Sequence, residues 1–564
     1  MALSKLKSVT SFAEPNEAEN QSGISRRSLV FIFISLMASM FVASLDQTIV
    51  STALPTIVGE LGGVTIMLWV SSSFLVTSTL MMPIYGKLGD RLGRKYLFCS
   101  ALIVFVIGSV ICGVAPSMIG LIAGRAVQGI GGGGLMILSQ AIIADVVSPR
   151  DRGKYMGVMG AVYAASAILG PLLGGWFTDS IGWRWCFWIN IPLALFALVI
   201  SFRLLPKPKK QPGLARFDLM GTTLLTMATV LLVFVVSWGG HTFAWSSPVI
   251  IGLIAAAVAV SALFILVERK AADPILPLKL FKNRNFSLAT IAGLFIMIAM
   301  IGVVTYLPTY FQIVENLEAT VAGYMTLPIM VGSTLTTTIS GYVASKTGRY
   351  KWMPLASCAV AAGALVLLST LTVDTTLVMI GSYLFILGFG MGLGQQILVL
   401  VVQNEFDISI VGTATSANNF FREIGATVGV SLVGSMFSAN LISNMEQATA
   451  SKGGMAGMGI TVDSITPEFV HGLGHDMALM VQNAYNDALT PIFFALVPLF
   501  AVGFVLLFFL RETPLATTVE ESGHMAGTAP VKREVARKRV PAASRRPQIV
   551  QSTVFALRRL RQGD

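Results

Sequence analysis

Charged side chains are scarce in this sequence. Of its 564 residues only 12% are Asp, Glu, Lys or Arg, whereas 54% are hydrophobic, and the mean hydropathy is +0.76. A soluble chain of this length carries charge at about a quarter of its residues, so the composition excludes an array of soluble domains. It also excludes disorder over most of the chain. The sequence therefore predicts an integral membrane protein.

Cysteine and histidine are equally rare, with four residues of each. The cysteines are Cys99, Cys112, Cys186 and Cys358. They lie in apolar runs without paired spacing, which argues against a disulfide framework and against a thiolate metal site, so we expect small apolar fillers. His471 and His475 are four residues apart, but glycines separate them and a third ligand is lacking, so we expect no metal site and no cofactor.

The sequence patterns of ATP-driven pumps and of common hydrolases are also lacking. The chain contains no Gly-x4-Gly-Lys-Ser/Thr sequence, no His-Glu-x-x-His and no Gly-x-Ser-x-Gly. These patterns place catalytic groups on phosphates, on zinc or at a nucleophile. We therefore expect that the protein is not an enzyme and that it does not hydrolyse ATP itself.

What the sequence does contain is a series of long apolar stretches. A helix needs about 20 apolar residues to cross a hydrocarbon core of about 30 Å, and fourteen stretches meet this requirement. They lie near residues 29–58, 65–85, 96–115, 118–147, 155–177, 185–205, 218–238, 247–267, 286–311, 320–344, 352–371, 377–402, 410–437 and 489–510. The sequence thus predicts fourteen transmembrane helices.

The basic residues predict the orientation of these helices. All but four of the 39 Lys and Arg residues fall in the two tails and in the alternate loops on the same side. The exceptions are Arg184 and Lys452 on the other side, and Arg125 and Arg422 inside apolar stretches. Because basic loops remain in the cytoplasm, we expect a multi-pass protein of the cell membrane with both termini cytoplasmic. The net charge of +11 then indicates contact with membrane lipids and not with nucleic acid.

An internal repeat divides the chain into two halves. The loop Gly86–Lys95 after helix 2 and the loop Gly341–Tyr350 after helix 10 both carry a glycine followed, seven residues later, by Gly-Arg, with Ser345 in place of Asp90. Many transporters consist of such repeats, with the binding site between them. Because helix 2 matches helix 10, two extra helices are inserted between two bundles of six.

The expected organisation has five parts. They are a cytoplasmic tail at 1–27, an N-terminal six-helix bundle at 28–205, two inserted helices with linkers at 206–285, a C-terminal six-helix bundle at 286–510 with an external loop at 438–488, and a basic cytoplasmic tail at 511–564. In the external loop, residues 467–487 are expected to form a short amphipathic helix at the outer surface. The basic tail is expected to be disordered, and it either rests on anionic lipid or simply enforces the topology.

The first repeat loop has a composition suited to close helix contact. Gly86 and Gly93 permit a tight turn and a close approach of helices, and Asp90 and Arg94 are spaced for pairing on one helical turn. The loop from Gly86 to Lys95 resembles the signature loop of the major facilitator superfamily. That resemblance implies a cytoplasmic latch that stabilises one alternating-access state. The residues implied for it are Gly86, Asp90, Arg91, Gly93 and Arg94. A purely topological role is the alternative, but Asp90 adds nothing to topology.

Helix 1 and helix 4 each contain a charged residue. Asp46 is the only carboxylate deep in a span of the N-terminal half, and burial disfavours its charged form, so it is suited to load and release a proton. Arg125 costs about 2.5 to 3.5 kcal/mol in a span and is expected to face the bundle interior, unless it extends to the outer interface.

The segments around these two charges resemble those of one family within the superfamily. Leu45–Pro55, Arg125–Gly129 and Trp183–Pro192 are similar to motifs of the fourteen-helix drug:proton antiporters. The resemblance implies that Asp46 and Arg125 take part in proton coupling. A structural pair between Asp46 and Arg125 is an alternative, and the two roles do not exclude each other.

Helix 5 contains a cluster of helix-breaking residues. A proline flanked by glycines removes a backbone donor and leaves room, so the helix is expected to bend and to pack closely there. The residues are Gly170, Pro171, Gly174 and Gly175. The segment resembles the helix 5 signature of antiporters and exporters, which implies transport out of the cell.

Polar and aromatic side chains in or beside the spans are candidates for a cavity that accepts flat, amphipathic small molecules. They are Gln47, Trp69, Gln128, Tyr306, Tyr310, Gln395 and Asn418. The same side chains are equally suited to bond one helix to another. Arg422 and Glu423 in helix 13 are expected to balance each other or to meet the cytoplasmic loops.

Together these features predict an all-α integral membrane protein with the major facilitator fold, in which two six-helix bundles accompany two inserted helices. The predicted function is proton-coupled multidrug efflux of hydrophobic or cationic small molecules by alternating access. Two alternatives stay open. The protein exports a native lipid, siderophore or other metabolite on the same scaffold, or it is a membrane receptor that binds without transport.

Overall fold

The computed structural model describes residues 26–63, 66–206, 218–240, 243–449, 470 and 473–515. The N-terminal tail, the C-terminal tail beyond residue 515 and His471 lie outside these residues. Within the described part, fourteen long helices correspond to the fourteen predicted stretches, which confirms the all-α membrane fold. They are α1 Arg26–Leu61, α2 Leu68–Leu92, α3 Arg94–Gly113, α4 Met118–Val146, α5 Pro149–Ser180, α6 Trp185–Leu204, α7 Leu219–Trp238, α8 Pro248–Lys270, α9 Arg284–Ile313, α10 Leu327–Thr347, α11 Trp352–Leu368, α12 Leu377–Asn404, α13 Val411–Thr449 and α14 His475–Phe508.

Eleven of these helices are long and apolar enough to cross a membrane. The other three, α2, α10 and α11, are less apolar or shorter, because α2 and α10 are rich in Ser and Thr and α11 has only 17 residues. Hydroxyl groups are tolerated inside a bundle because they donate to carbonyls of their own helix. Thr336 in α10, for example, donates to the carbonyl oxygen of Gly332 at 2.8 Å.

Polar caps set the starts of several helices. A side-chain oxygen of the residue before the helix accepts a backbone N–H of the first turn, and proline at the first helical position adds a suitable backbone angle. Capping residues of this kind precede α4, α5, α7, α8 and α9, and they are Ser117, Ser148, Asp218, Ser247 and Asn283. The breaks between helices are therefore encoded locally.

The segment between α13 and α14 differs from the prediction. The external loop was expected at 438–488, but α13 continues to Thr449 and α14 already begins at His475. The side chains of Asn440 and Asn444 in α13 donate to backbone carbonyls of α14, at 3.1 and 3.3 Å. These bonds hold the two helices together beyond the apolar spans. From His475 onward, the expected amphipathic surface helix is instead the first part of α14.

The helices pack as two groups with separate apolar cores. Within α1–α6, α1 packs against α5 and α6, and α4 packs against α2 and α3. Within α9–α14, α9 packs against α13 and α14, and α12 packs against α10 and α11. We call these groups the N-bundle and the C-bundle. They meet along α2 and α13 and along α5 and α10, and the inserted α7 contacts both α2 and α13.

Glycines allow the closest helix contacts in the N-bundle. A methyl group on Gly131 of α4 would lie 2.5 Å from the backbone nitrogen of Phe105 in α3, and one on Gly133 would lie 2.2 Å from the carbonyl oxygen of Ser78 in α2. Backbone atoms of three helices therefore touch at this point, and no larger residue fits. The four cysteines are buried and free, as expected of small apolar fillers.

A matched pair of substitutions tests this packing. Gly131→Ala should lower the free energy of unfolding by about 1 to 3 kcal/mol through overpacking. Gly252→Ala in α8, where an added methyl group meets nothing within 4 Å, should be neutral or stabilising, because alanine favours helices by about 1 kcal/mol over glycine. Thermal unfolding in detergent measures both. An equal response of the two variants would contradict the packing argument.

Candidate functional site

The carboxylate of Asp46 lies at the centre of a buried polar network in the N-bundle. Asp46 in α1 is 0% exposed and forms an ion pair with Arg125 of α4, which is 1% exposed. Its second oxygen, Oδ1, accepts hydrogen bonds from the side-chain amides of Gln128 and Asn190, both at 2.7 Å. One buried carboxylate of α1 thus binds side chains from two other helices, α4 and α6.

Arg125 is fixed by further contacts. Its Nε donates to the carbonyl oxygen of Val70 in α2 at 3.2 Å, its Nη1 also donates to Oε1 of Gln128 at 2.7 Å, and its guanidinium lies 4.5 Å from the ring centre of Phe74. A cation over an aromatic face gains stabilisation that grows when water is absent. Arg125 therefore faces the bundle interior, and the alternative of an arginine that extends to the outer interface is wrong.

Ser109 of α3 completes the network. Its hydroxyl accepts from Gln128 at 2.9 Å and from Asn190 at 3.4 Å, and it donates to the carbonyl oxygen of Phe105 at 3.0 Å. Sequence reasoning named Gln128 only as a cavity residue and gave Ser109 no role. Asn190 stood inside the quoted segment Trp183–Pro192, and a polar amide within an apolar stretch was the signal for it.

A buried network of this kind has a large energetic consequence. Removing one partner of a buried ion pair costs about 3 to 5 kcal/mol, because an uncompensated charge remains. The pair of Asp46 and Arg125, expected as an alternative role, is therefore present. It links α1 to α4 through two buried charges.

A second carboxylate, Asp90, joins the two bundles. Its Oδ2 accepts the backbone N–H and the hydroxyl of Thr413, at 2.6 and 2.8 Å, and its Oδ1 accepts the N–H of Gly412 at 3.1 Å. These N–H groups belong to the first turn of α13, where unpaired donors and the helix dipole favour an anion. Asp90 of α2 thus caps a helix of the opposite bundle.

Arg94 supports this cap from the N-bundle. Its Nη2 donates to Oδ1 of Asp90 at 2.6 Å and to the carbonyl oxygen of Ile408 at 3.1 Å, and it also pairs with Asp145. The expected pair of Asp90 and Arg94 is therefore present. The partner of this pair in the C-bundle could not be read from the loop itself.

The two glycines of the first repeat loop have different structural roles. A methyl group on Gly86 would lie 2.1 Å from Oγ of Ser416 in α13 and 2.8 Å from the carbonyl oxygen of Gly412. Gly93 has φ +89° and Gly348, its counterpart in the second repeat loop, has φ +72°. Such angles favour glycine. One glycine therefore permits contact between bundles, and the other ends a helix.

The second repeat loop contacts α5 of the N-bundle. Arg150 donates to the carbonyl oxygens of Ser345 and Lys346, at 3.2 and 3.3 Å, and Ser345 donates to Oδ1 of Asp151 at 3.3 Å. The sequence shows that Ser345 stands where the first repeat loop has Asp90. It did not show that Asp151 of α5 supplies a carboxylate at this contact instead. The basic turn at the start of helix 5 was the available signal.

Inter-bundle hydrogen bonds of the described residues cluster at the helix ends that carry the basic loops. Besides the contacts of Asp90 and Arg150, Gln140 of α4 accepts from Asn419 of α13 at 2.9 Å, and its carbonyl oxygen accepts from Gln403 of α12 at 3.4 Å. We call this side of the molecule the basic side. In the described conformation the basic side is closed.

The helix 5 glycines pack α5 against α1 next to the Asp46 network. A methyl group on Gly170 would lie 2.0 Å from Oγ1 of Thr48, and one on Gly174 would lie 2.8 Å from the carbonyl oxygen of Ile49, whereas one on Gly175 meets nothing within 4 Å. Close packing at Gly170 and Gly174 is therefore observed. Pro171 lies within the continuous helix Pro149–Ser180, and the expected bend stays a prediction.

The expected cavity residues separate into two groups. Gln128, Tyr310 and Asn418 are 0% exposed and bonded within one bundle, Tyr310 to Asn486 at 2.9 Å and Asn418 to Thr290 at 3.1 Å. In this conformation they stabilise helix packing through these bonds, although the side-chain oxygen of Asn418 is buried without a hydrogen-bond partner.

The other candidates retain accessible surface. These are Gln47, which is exposed, and Trp69, Tyr306 and Gln395, which are half-buried. Trp69 packs against Phe234 of the inserted α7 at 5.7 Å. Gln395 borders a recess of the C-bundle together with Arg422 and three methionines, Met297, Met300 and Met391.

Arg422 and Glu423 do not form an ion pair with each other among the described contacts. Arg422 is 7% exposed and makes a long hydrogen bond of 3.4 Å to Oδ1 of Asn419. Glu423 is half-buried, and both residues interact electrostatically with Tyr163 of α5. Two charges on successive residues thus lie where α13 faces the N-bundle.

Comparison with known proteins places these contacts in a wider context. Residues 36–430 match the sequence model of the Major Facilitator Superfamily. An uncharacterized MFS-type transporter of Mycobacterium tuberculosis is 38% identical over 485 residues, which are 86% of this chain and 70% of that protein. Multidrug transporter protein MdtP of Bacillus subtilis is 36% identical over 519 residues, 88% of this chain and 95% of that protein.

Solved structures have the same fold. The proton:xylose symporter XylE bound to 6-bromo-6-deoxy-D-glucose superposes with a TM-score of 0.58 at 15% identity, covering 88% of this chain and 99% of that chain. At this identity the likeness concerns the fold alone.

The closed basic side yields a test of Asp90. Asp90→Ala should remove the cap of α13, worth about 1 to 2 kcal/mol, and so open the basic side roughly 5- to 30-fold more often. Ser416→Cys is the reporter, since Ser416 is 0% exposed and faces Gly86. Maleimide labelling rates in nanodiscs measure the opening.

Asp179→Asn serves as the control, because Asp179 is exposed at the other end of α5. It should leave the labelling rate of the reporter unchanged. An Asp90→Ala protein that is folded and labels no faster than its parent would show that Asp90 does not hold the bundles together.

Proposed function

Because the chain belongs to the major facilitator superfamily, we propose that it exports hydrophobic or cationic small molecules in exchange for protons by alternating access. Membership makes the chain a multi-pass membrane transporter of small molecules and not an enzyme. The direction, the proton coupling and the substrate class are the content of the proposal. The basic side faces the cytoplasm of the cell in this proposal, with both tails on that side.

The observation that carries the proposal is the buried pair of Asp46 and Arg125. The carboxylate of Asp46 has no accessible surface and is the only acid among the described residues of its network, and three polar side chains bond to it, those of Arg125, Gln128 and Asn190. When a proton binds Asp46, the neutral acid no longer compensates Arg125, and the buried guanidinium becomes costly. Protonation therefore disfavours the described packing of α1 against α4.

The cycle follows from this dependence. In the described conformation the basic side is closed, so an ionised Asp46 accepts a proton from the opposite side. Gln47, the next residue of α1, is exposed, so a small opening of the pair connects the carboxyl group with water. The protonated protein favours the conformation that is open to the cytoplasm, releases the proton there and binds cargo.

Helix α5 is the element that connects the two ends of this process. Near Asp46 it packs on α1 through Gly170 and Gly174. Near the basic side it packs on α10, where a methyl group on Gly153 would lie 2.6 Å from the carbonyl oxygen of Gly341. A displacement of α1 relative to α4 can thereby be transmitted along one continuous helix to the contact between the bundles.

The substrate class rests on the side chains around a recess of the C-bundle. Methionine side chains adapt to ligands of different shape, and Met297, Met300 and Met391 surround the recess near Gln395. Met297 and Met300 are buried in this conformation, so the recess must widen to accept cargo. Glu423, which is half-buried, is the acidic group that we assign to the recognition of a cationic cargo. Asp46 itself is buried and does not contact cargo in this conformation. The relative MdtP of Bacillus subtilis is named a multidrug transporter protein, which agrees with broad specificity.

Transport in proteoliposomes under an imposed pH difference tests the proposal. With ethidium as the cationic probe, the parent protein should move dye in response to the gradient, and a protonophore should abolish the movement. Asp46→Asn keeps the size of the side chain but cannot exchange a proton, so gradient-driven flux should fall at least tenfold. Asp374→Asn, in an exposed loop, should retain the parental flux.

The remaining outcomes separate the alternatives. Dye flux that ignores the pH difference would mean facilitated diffusion. Dye binding without flux in the parent protein would mean a receptor. Gradient-driven flux that survives Asp46→Asn would remove Asp46 from the coupling mechanism while leaving antiport itself in place.

A second prediction concerns α5. Gly174→Ala places a methyl group 2.8 Å from the carbonyl oxygen of Ile49, which must displace α1 by a few tenths of an ångström and should slow ethidium flux several-fold. Gly175→Ala, one residue away with nothing within 4 Å, should transport at the parental rate. Initial rates at equal protein density in the vesicles are compared. Equal rates in the two variants would contradict a role for this helix contact.

A further inference from the structure

A carboxylate that follows the inserted helices α7 and α8 forms ion pairs with the first repeat loop, Gly86–Lys95, which we call the latch loop. Asp273 lies in segment 271–277, between α8 and the start of the C-bundle. Its Oδ1 pairs with Nζ of Lys87 at 2.6 Å, and its Oδ2 pairs with Arg91. The side chains of Lys87, Arg91 and Asp273 are 13%, 26% and 16% exposed. One carboxylate of the inserted region is therefore shared by two cations of α2.

The backbone around Asp273 is anchored to the C-bundle. Ile275 and Leu276 are 1% and 3% exposed and belong to the same apolar cluster as Phe286 of α9. The N–H of Leu276 donates to Oε1 of Glu268, in the last turns of α8, at 2.5 Å. Segment 271–277 is therefore held by α8 and α9, so Asp273 moves with the C-bundle.

Lys87 and Arg91, in contrast, belong to the N-bundle. Both lie on α2 within one turn of Asp90. Asp90 caps α13 across the contact between the N-bundle and the C-bundle, which we call the seam. Resemblance to the signature loop implied a latch role for Arg91 but no partner. Asp273 is that partner, and it lies 182 positions later in the chain.

The inserted helix α7 also contacts both bundles at a second place along the seam, away from the latch loop. At the other end of α7, Phe234 packs against Trp69 of α2 at 5.7 Å, and Ser431 of α13 donates to the carbonyl oxygen of Val236 at 2.6 Å. The inserted helices thus contact both bundles where these must move relative to each other. A contact at that place influences the equilibrium between conformations.

We propose that Asp273 is a positioning residue of the latch: through its ion pairs with Lys87 and Arg91, the inserted helix pair stabilises the conformation in which the basic side is closed. The two inserted helices are then a working part of the conformational cycle and not only a peripheral addition. The consequence for transport rests on the proposed alternating access, but the conformational bias itself does not require any flux.

The size of the effect follows from the charges involved. Asp273→Asn leaves Lys87 and Arg91, four residues apart on α2, without their shared anion, and like charges at this spacing repel each other. We expect the basic side to open about tenfold more often, which corresponds to about 1.4 kcal/mol.

Labelling of Ser416→Cys by maleimide in nanodiscs measures this bias without substrate or proton gradient. Asp273→Asn should raise the labelling rate about tenfold, Asp273→Glu should restore a rate near that of the parent, and Asp374→Asn should have no effect. The chain without the added cysteine gives the background, since its own four cysteines are buried.

A double-mutant cycle separates the ion pair from a general loss of structure. Lys87→Gln should raise the labelling rate by itself, and the effects of Lys87→Gln and Asp273→Asn together should be smaller than their product. Thermal midpoints identify a variant that fails to fold, and in that case Lys87→Gln and Arg91→Gln carry the test.

Folded variants of Asp273 and Lys87 with parental labelling rates would overturn the proposal, as would fully independent effects in the cycle. The result does not depend on the proposed transport activity. Failure of ethidium flux with a tenfold labelling change would remove the antiport function and keep the role of Asp273. Normal flux with unchanged labelling would keep the antiport function and remove the role of Asp273.

Discussion

A carboxylate that is buried at membrane depth must be satisfied by its neighbours, and this constraint organises the N-bundle. Asp46 collects the guanidinium of Arg125 and the amides of Gln128 and Asn190, while Ser109 receives the remaining amide protons. Four helices, α1, α3, α4 and α6, meet in these contacts. In the proposed cycle, the interactions that stabilise the bundle are also the ones that a proton on Asp46 would change.

The contacts between the bundles are of a different kind. They consist of a carboxylate at a helix N-terminus, glycine-mediated backbone contacts and hydrogen bonds to carbonyl oxygens, as at Asp90, Gly86 and Arg150. Each is worth about 1 to 2 kcal/mol, so the set closes one side of the molecule without locking it. Asp273 adds charge from the inserted helices to this seam. A transporter that alternates between conformations needs an interface of such moderate strength.

Much of this arrangement was predictable, and the exceptions have physical reasons. The helices, the pair of Asp90 and Arg94, and the close packing at Gly170 and Gly174 follow from local spacing. The cavity role expected for Gln128 was not observed, because a buried amide adjacent to a carboxylate is worth more as a donor to it than as a surface for ligands. The loop at 438–488 was predicted too long, because the prediction ended each helix at the end of its apolar stretch, whereas α13 and α14 both continue beyond it.

By itself the sequence determined the number of spanning helices, their order and the side that carries the basic loops, because a hydrocarbon core imposes length and charge rules on every segment separately. Only the tertiary structure decided which helices touch. Asp46 and Arg125 are 79 positions apart, and Asp90 and Thr413 are 323 apart. No local pattern specifies such pairs, since they depend on how whole helices pack. The ion pair of Asp273 with Lys87 depends on the tertiary structure for the same reason.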